Sequence, residues 1–230
     1  MNLLAIETSS PLLSVAIKKS GAKVRHAVVQ GYMKHAENLL PVIDRLLKRE
    51  ELKIGEIDAF LISRGPGSFT GLRIGFATLK GFLSIRPKPC YGASSLDVIA
   101  AGIKPKPPAN LTVCLDARRG KLYACSYRYN EKGWRSNGPS RVLSIGESDS
   151  RLSEGEWIAG NGIHKLNPKG FRMVPEKNWI PRAATLIKLF ETKHPFLKRL
   201  RHPKEFLPAY LRSSEPEEKL KDQKYARAHT

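Results

Sequence analysis

The stretch that decides the fold is Arg64–Gly75, "RGPGSFTGLRIG", which follows the apolar run "IDAFLIS" and opens an amphipathic segment. A strand running into a glycine-rich turn and then a helix often cradles phosphate, so the first question is nucleotide binding. A P-loop needs a Lys and then a Ser or Thr directly after its last glycine, and here Leu72 and Arg73 follow Gly71. A dinucleotide loop needs GxGxxG and an acid about 20 residues further on. Gly65, Gly67 and Gly71 are one residue too wide for it, and Cys90 and Tyr91 stand where the acid belongs. What remains is backbone geometry. Gly65 and Gly67 can take positive φ, Pro66 stiffens the turn, and Ser68 or Thr70 can cap the helix. Gly71 and Gly75 share one helical face, with Leu72, Ile74 and Phe76 around them. Glycines there suit tight packing inside the lobe, a docking surface for a partner helix, or residual anion binding at the helix N-terminus. Packing is favoured over chemistry.

Upstream, "NLLAIE" (Asn2–Glu7), "LSVAIK" (Leu13–Lys18) and "VRHAVVQ" (Val24–Gln30) read as three strands separated by "TSSPL" and "KSGAK". Connections this short require antiparallel pairing. In "HAENLLPVIDRLLKRE" the residues Ala36, Leu39, Leu40, Ile43, Leu46 and Leu47 recur at helical spacing, with Pro41 in the first turn or at a kink. A fourth strand, Ile57–Ser63, then feeds the opening motif and the helix "FTGLRIGFATLKGFLS"; a short strand "PCYG" and a helix "SSLDVIAAGI" follow. Three antiparallel strands and then alternating helix and strand is the order of a ribonuclease-H-like α/β lobe.

The Pro- and Lys-rich "KPKPPAN", residues 104–110, reads as a linker between a first lobe at 1–103 and a second, smaller lobe at 111–212. After it, "LTVCLDARRGKLYACSYRY" restarts the opening pattern: an apolar strand ends in Asp116, as the first ends in Glu7, and a second strand runs Lys121–Arg128. Further strands are expected near Arg141–Ile145 and Trp157–Ala159, and a helix near Ala183–Thr192 that can pack back on the first lobe. Residues 213–230 are charged and lack aliphatic periodicity, so disorder is expected there.

Composition narrows the class. The chain has 230 residues, with no apolar run near the roughly 18 residues that span a bilayer. "MNLLAIETSS" has no basic n-region or apolar h-region, so no signal peptide is read. The three widely spaced cysteines suggest no disulfide framework and fit a reducing cytoplasm. Cys114, in the run "LTVCLD", reads as core packing. Net charge is +19, and residues 101–230 hold 26 Lys/Arg against 13 Asp/Glu. Such a field attracts polyanions without specifying one. It serves either solubility or contact with a polyanion.

Taken with its surroundings, "GPGSFTGLRIG" resembles the signature of the TsaB (YeaZ) family. "LLAIETSS" at Leu3–Ser10, "HAENLLP" at His35–Pro41, "GASSLDVIA" at Gly92–Ala100, "LDARRGKLYA" at Leu115–Ala124, "AGNG" at Ala159–Gly162 and "PAYLR" at Pro208–Arg212 follow the family pattern in order. The departures are Glu7 where many relatives have Asp, the basic balance, and the tail. The resemblance implies two ribonuclease-H-like lobes of the actin/Hsp70/sugar-kinase (ASKHA) superfamily, the second reduced. It also implies a non-catalytic, cytoplasmic subunit for threonylcarbamoyladenosine (t6A) formation beside the anticodon of ANN-decoding tRNAs. In that scheme the paralogue TsaD transfers the group from an adenylate made by TsaC, and TsaE is the ATPase. The chain would pair with TsaD and TsaE, form a homodimer when alone, and meet ATP or ADP only at the junction with those partners.

By position, the two metal-binding histidines of TsaD fall on Ser95 and Ile99, and Ile99 cannot ligate. The histidines present, His26, His35, His164, His194, His202 and His229, show no HxxxH or HExxH spacing. No metal or cofactor is therefore expected in the chain itself. A structural role for Glu7 in the "TSS" turn is favoured, with Glu7, Thr8 and Ser9 as the candidates for residual nucleotide contact. His35 with Glu37 suits capping of the first helix better than acid–base work. The resemblance places the TsaD interface on the two long helices: His35, Leu39, Leu40, Ile43, Leu47, Phe69, Gly71, Leu72, Ile74 and Gly75, beside the motif loop of Gly65, Pro66, Gly67, Ser68, Thr70 and Arg73. The rivals are a metal-dependent glycoprotease-like peptidase, which needs a metal or triad the spacing does not supply, and a basic tRNA-binding subunit. The latter would use "LYACSYRYNEKGWR" (Leu122–Arg135), whose alternating Tyr123, Cys125, Tyr127 and Tyr129 also read as the buried face of a strand.

Overall fold

The computed structural model describes residues 1–30, 34–105, 109–146, 156–166, 170–209 and 211. The expected tail at 213–230 and residues 106–108 of the linker lie outside them. Strands β1 (Leu3–Glu7), β2 (Leu12–Lys18) and β3 (Arg25–Gln30) pair antiparallel in sequence. Strands β4 (Ala59–Ser63) and β5 (Cys90–Ala93) extend the sheet in parallel from the other side of β1. The resulting order, β5-β4-β1-β2-β3, is the ribonuclease-H-like one.

Alternation along these strands sorts the core into two faces. Leu4, Ile6, Leu13, Val15, Ile17, Phe60 and Ile62 meet helices α1 (His35–Arg49) and α2 (Phe69–Ile85). The opposite face is lined by Leu3, Leu61 and the small Ala5, Ala16 and Ala59, and it receives α4 (Ala183–Glu191) through Ala183, Leu186, Ile187 and Leu189. Alanines on that face let the late helix sit close. The first amide of α4 is satisfied by the Ser14 hydroxyl of β2 at 3.1 Å, since Arg182 supplies no side-chain cap. Pro41 lies within α1 on its exposed side, past the first turn.

The second sheet repeats the first. Strands β6 (Ala109–Asp116), β7 (Lys121–Asn130) and β8 (Gly133–Ser136) are antiparallel, β9 (Arg141–Ser144) also pairs β7, and β10 (Trp157–Ala159) and β11 (Arg172–Met173) continue in parallel from β6. Its order, β11-β10-β6-β7-β8, is that of the first sheet.

Three boundaries differ from the sequence reading. Strand β6 begins at Ala109, inside the expected linker, because the antiparallel ladder with β7 extends to the Ala109–Tyr129 pair. Helix α4 packs back on the first lobe as the sequence allowed, and beyond it β12 (Lys198–Leu200) also returns there, adding to the sheet edge beside β5. Helix α3 (Ser95–Gly102) crosses the other way, placing Leu96, Ile99 and Ala100 in the core of the second sheet. The short, charged edge strands β8, β11 and β12 carry too little apolar periodicity to announce themselves.

Two polar ties fasten α3 to the second sheet. Trp134 donates its indole N–H to the Ile103 carbonyl at 2.8 Å, and the Tyr127 hydroxyl donates to Asp97 Oδ1 at 2.9 Å. Burial pushes the Asp97 carboxyl up to about 6, opposed by the Tyr127 hydrogen bond, an amide bond from Ser94 and the charge of Lys198. A carboxyl raised in the folded state stabilises fully below its unfolded value, and that contribution is lost as pH rises through about 6. Because the carboxyl keeps some contact with water, the loss is on the order of 2 kcal/mol. Asp97→Asn should remove this loss, so its melting temperature should fall less than the wild type's between pH 4 and pH 7 in a thermal scan; parallel pH profiles would contradict the assignment.

Candidate functional site

The motif loop sits over the end of β1. Ser68 caps α2 by accepting the Gly71 amide at 3.1 Å. The Ser68 amide in turn donates to the Ser9 carbonyl at 2.7 Å, clamping the loop to the turn after β1. Gly65 takes φ of 89°, Gly65–Pro66 is a cis peptide, and the Arg64 carbonyl accepts the Ala209 amide at 2.7 Å. Ala209 of "PAYLR" is thus tied to the loop.

Gly71 and Gly75 of α2, and Gly67 in the loop before it, face inward. A Cβ on Gly71 would overlap the Thr8 carbonyl oxygen, one on Gly75 would overlap Thr8 Oγ1, and one on Gly67 would overlap the Ser9 carbonyl. Of the three readings of these glycines, packing inside the lobe is the one the geometry fills. Beneath the loop, Glu7 Oε1 accepts the Ser9 amide at 2.6 Å. Ser63 and Ser95 share a hydrogen bond of 2.8 Å, and Ser95 donates to Ser9 Oγ at 2.8 Å. All four side chains are buried. Burial raises the Glu7 carboxyl above its ordinary range against hydrogen bonds from Ser9 and Ser63. Glu7 Oε2 and Thr8 Oγ1 have no hydrogen-bond partner among the described residues.

Several expected sites change in this light. Glu7 takes the structural role in the "TSS" turn through the Ser9 amide, and it is buried with Thr8 and Ser9 beneath the loop. The positions matched to TsaD's metal ligands are a buried hydroxyl within a serine chain and an aliphatic core residue, a donor set that fits neither Zn nor Fe. Among the described residues no group of three His, Cys, Asp or Glu side chains converges. The thiols of Cys90 and Cys114 are pushed up by burial to about 12, and that of Cys125 is raised, so none is poised as a thiolate nucleophile. His35 does not cap α1. It is buried, and its Nε2–H donates to the Ser10 carbonyl at 3.0 Å, while Lys34 holds the cap position without a side-chain bond.

The interface set divides. His35, Leu39, Ile43, Leu47, Gly71, Leu72 and Gly75 are buried within the lobe and have no surface to offer a partner. Leu40 is 54% exposed, and Phe69 and Ile74 are half-buried. Around them α2 presents Thr70, Arg73, Ala77, Gly81 and Ser84 to solvent, a stripe one face away from the inward glycines, with Arg73 stacked 3.9 Å over the Phe69 ring. Nothing lies within 4 Å of a Cβ placed on Gly81. Small residues repeating at helical spacing mark this stripe, a signal the inward glycines obscured.

In the second half, Asp116 repeats the role of Glu7: its Oδ1 accepts the amide two residues on, from Arg118 at 2.7 Å. It also pairs with Lys165 at 2.9 Å, while its amide donates to Asn161 of "AGNG" at 3.0 Å. Gly160, at φ of 104°, presses on the Cys114 carbonyl as Gly67 presses on Ser9. The aromatic run folds inward: Tyr127 lies edge-on to Trp134 and to Phe196, and Tyr129 is 4.9 Å from Trp134. Base stacking by the buried Tyr127 and Trp134 is therefore closed off.

Comparison with known proteins places this geometry. The family model described as "TsaD: tRNA N6-adenosine threonylcarbamoyltransferase" matches residues 31–170. The "tRNA threonylcarbamoyladenosine biosynthesis protein TsaB" of Escherichia coli is 32% identical over 163 residues, 69% of this chain and 70% of that protein. The Haemophilus influenzae protein of the same description is 27% identical over 237 residues, 96% of this chain and 97% of its own length. The solved structure of YeaZ from Pseudomonas aeruginosa superposes with a TM-score of 0.74 at 23% identity, covering 91% of this chain and 99% of that one, which shows a shared fold.

The inward glycines make a paired prediction on one helix. Gly71→Ala must push α2 off the Thr8 carbonyl and should cost about 2–3 kcal/mol or more. Gly81→Ala, with open space around it, should be neutral or stabilise by up to about 1 kcal/mol. Denaturant unfolding of both variants checks the contrast, and equal effects would refute the inward orientation.

Proposed function

The chain belongs to the TsaB (YeaZ) family, and from that premise we propose that it serves t6A formation in tRNA as a non-catalytic partner subunit of TsaD. The observation that carries this reading is the sealed turn after β1. Where a catalytic relative would need an open, metal-holding pocket, this chain has a buried serine chain under a clamped loop. A protein that has closed its pocket is left with its surfaces to act through.

The surface proposed for TsaD is the outward stripe of α2 with the neighbouring turn of α1: Thr70, Arg73, Ala77, Gly81 and Ser84, flanked by Leu40 and the half-exposed Phe69. Small side chains let a partner helix approach closely, and the apolar flanks supply the burial that holds it. In the absence of TsaD the same stripe serves a homodimer. TsaE and TsaC enter through the TsaD complex, and ATP or ADP binds only at that junction. The setting is the cytoplasm; among the described residues no helix is long and apolar enough to cross a membrane.

Removal of the gene should eliminate t6A from total tRNA nucleosides, and the wild-type gene should restore it. Leu40→Glu combined with Ala77→Trp should weaken capture of TsaD by at least about tenfold with no loss of melting temperature, since both side chains face solvent. Undiminished capture would contradict the proposed face, and t6A persisting in the deletion strain would contradict the function.

A further inference from the structure

Basic side chains from separate stretches of the chain gather on one part of the surface. Lys104 follows α3, Arg135 lies on β8, Lys188 on α4, and His194 just past α4. Three contacts bring these elements together: the Trp134 indole bonds the Ile103 carbonyl at 2.8 Å, Gly102 abuts Thr185 Oγ1, and Gly133 abuts His194 Nε2. Thr185 and Lys188 are three apart on α4 and share a face. Lys132 and Lys193 are the chain neighbours of Gly133 and His194, which meet there. Arg128 stands directly opposite Arg135 across β7 and β8, a like-charge pairing that a sheet does not choose for stability.

The cations repel one another. His194 is held below the usual imidazole range by burial and then by Lys188 and Arg135, and Lys188 is lowered by burial and then by Lys104. Among nearby acids, Asp97 is bonded to Tyr127 and Glu191 is paired with Lys18, which leaves Glu131 in the hairpin turn. Among the described residues, none of the exposed large apolar side chains, Met1, Val28, Leu40, Ile85, Met173, Leu207 and Leu211, lies on these segments. A cationic surface with no apolar residue to insert fits a phosphate backbone better than a bilayer or an apolar partner.

We propose that the patch of Lys104, Lys132, Arg135, Lys188, Lys193 and His194 binds the phosphate backbone of RNA. The choice of RNA among polyanions rests on the proposed role in tRNA modification; the patch itself does not. Helix α4, which carries Lys188, packs on the face of the first sheet opposite α1 and α2, so one chain can hold TsaD and RNA at once.

The test titrates full-length protein against an unmodified tRNA transcript by fluorescence anisotropy over a salt series. Wild-type protein is compared with Lys104→Glu/Arg135→Glu/Lys188→Glu and with Lys23→Glu/Lys53→Glu/Lys177→Glu, which makes the same change of net charge elsewhere on the exposed surface. The patch variant should bind at least about tenfold more weakly, with a shallower salt slope by up to about three, while the control retains nearly wild-type affinity. Three results overturn the proposal: equal weakening in both variants, no tRNA binding by the wild type at 0.1 M salt, or equally tight binding to phosphatidylserine vesicles. The function fails on a different readout, the t6A content of the deletion strain, so the two can be told apart.

Discussion

The fold depends on a contact that no side chain may occupy. Helix α2 lies so close to the turn after β1 that the positions facing Thr8 must be glycine, and a β-carbon at Gly71 or Gly75 would stand inside Thr8. Close approach lets Ser68 reach the Ser9 carbonyl, and that bond sets where the loop and the start of α2 sit. It also seals Glu7, Ser9, Ser63 and Ser95 away from water. Loop, helix direction and closed pocket are consequences of one backbone-to-backbone distance.

The second half shows the same device with different residues. A strand-end acid accepts an amide two residues on, and a glycine-bearing turn from the next parallel strand presses on the carbonyl near it, at Glu7 and Gly67 in one sheet and at Asp116 and Gly160 in the other. In the first sheet the acid is buried and biased toward its neutral form; in the second it keeps some exposure and is paired with Lys165. The acids at the two strand ends have become parts of turns. The proposed function accordingly rests on surfaces, the stripe on α1 and α2 and the basic patch around α4, which packs on the other face of the first sheet.

Much of this was legible in the residues. The strands β1, β2, β4 and β6 are apolar enough to read directly, and the helical spacing of Leu39, Ile43, Leu46 and Leu47 defines α1. The same periodicity misled at the site. It reports which residues share a face but not what that face meets, so Leu39, Ile43 and the two glycines read equally well as core or as interface. Ser14 capping α4 from β2, 169 residues away, has no local signature, nor does the return of β12 to the first sheet. The inward turn of Tyr127 was visible as alternation with Tyr123, Cys125 and Tyr129, while the outward arginines on β7 and β8 gained meaning only once α4 and the end of α3 were brought beside them.

Whether the glycine face is already closed in the free chain is the point on which the rest turns. Amide hydrogen exchange, measured on the isolated protein and again with TsaD, answers it most directly. The account predicts slow exchange at Ser9 and Ser68 in the free protein, unchanged by TsaD, with new protection in the turns of α1 and α2 around Leu40 and Ala77. Rapid exchange at Ser9 and Ser68 that slows only when TsaD binds would mean that the glycines await a partner after all, and would contradict it.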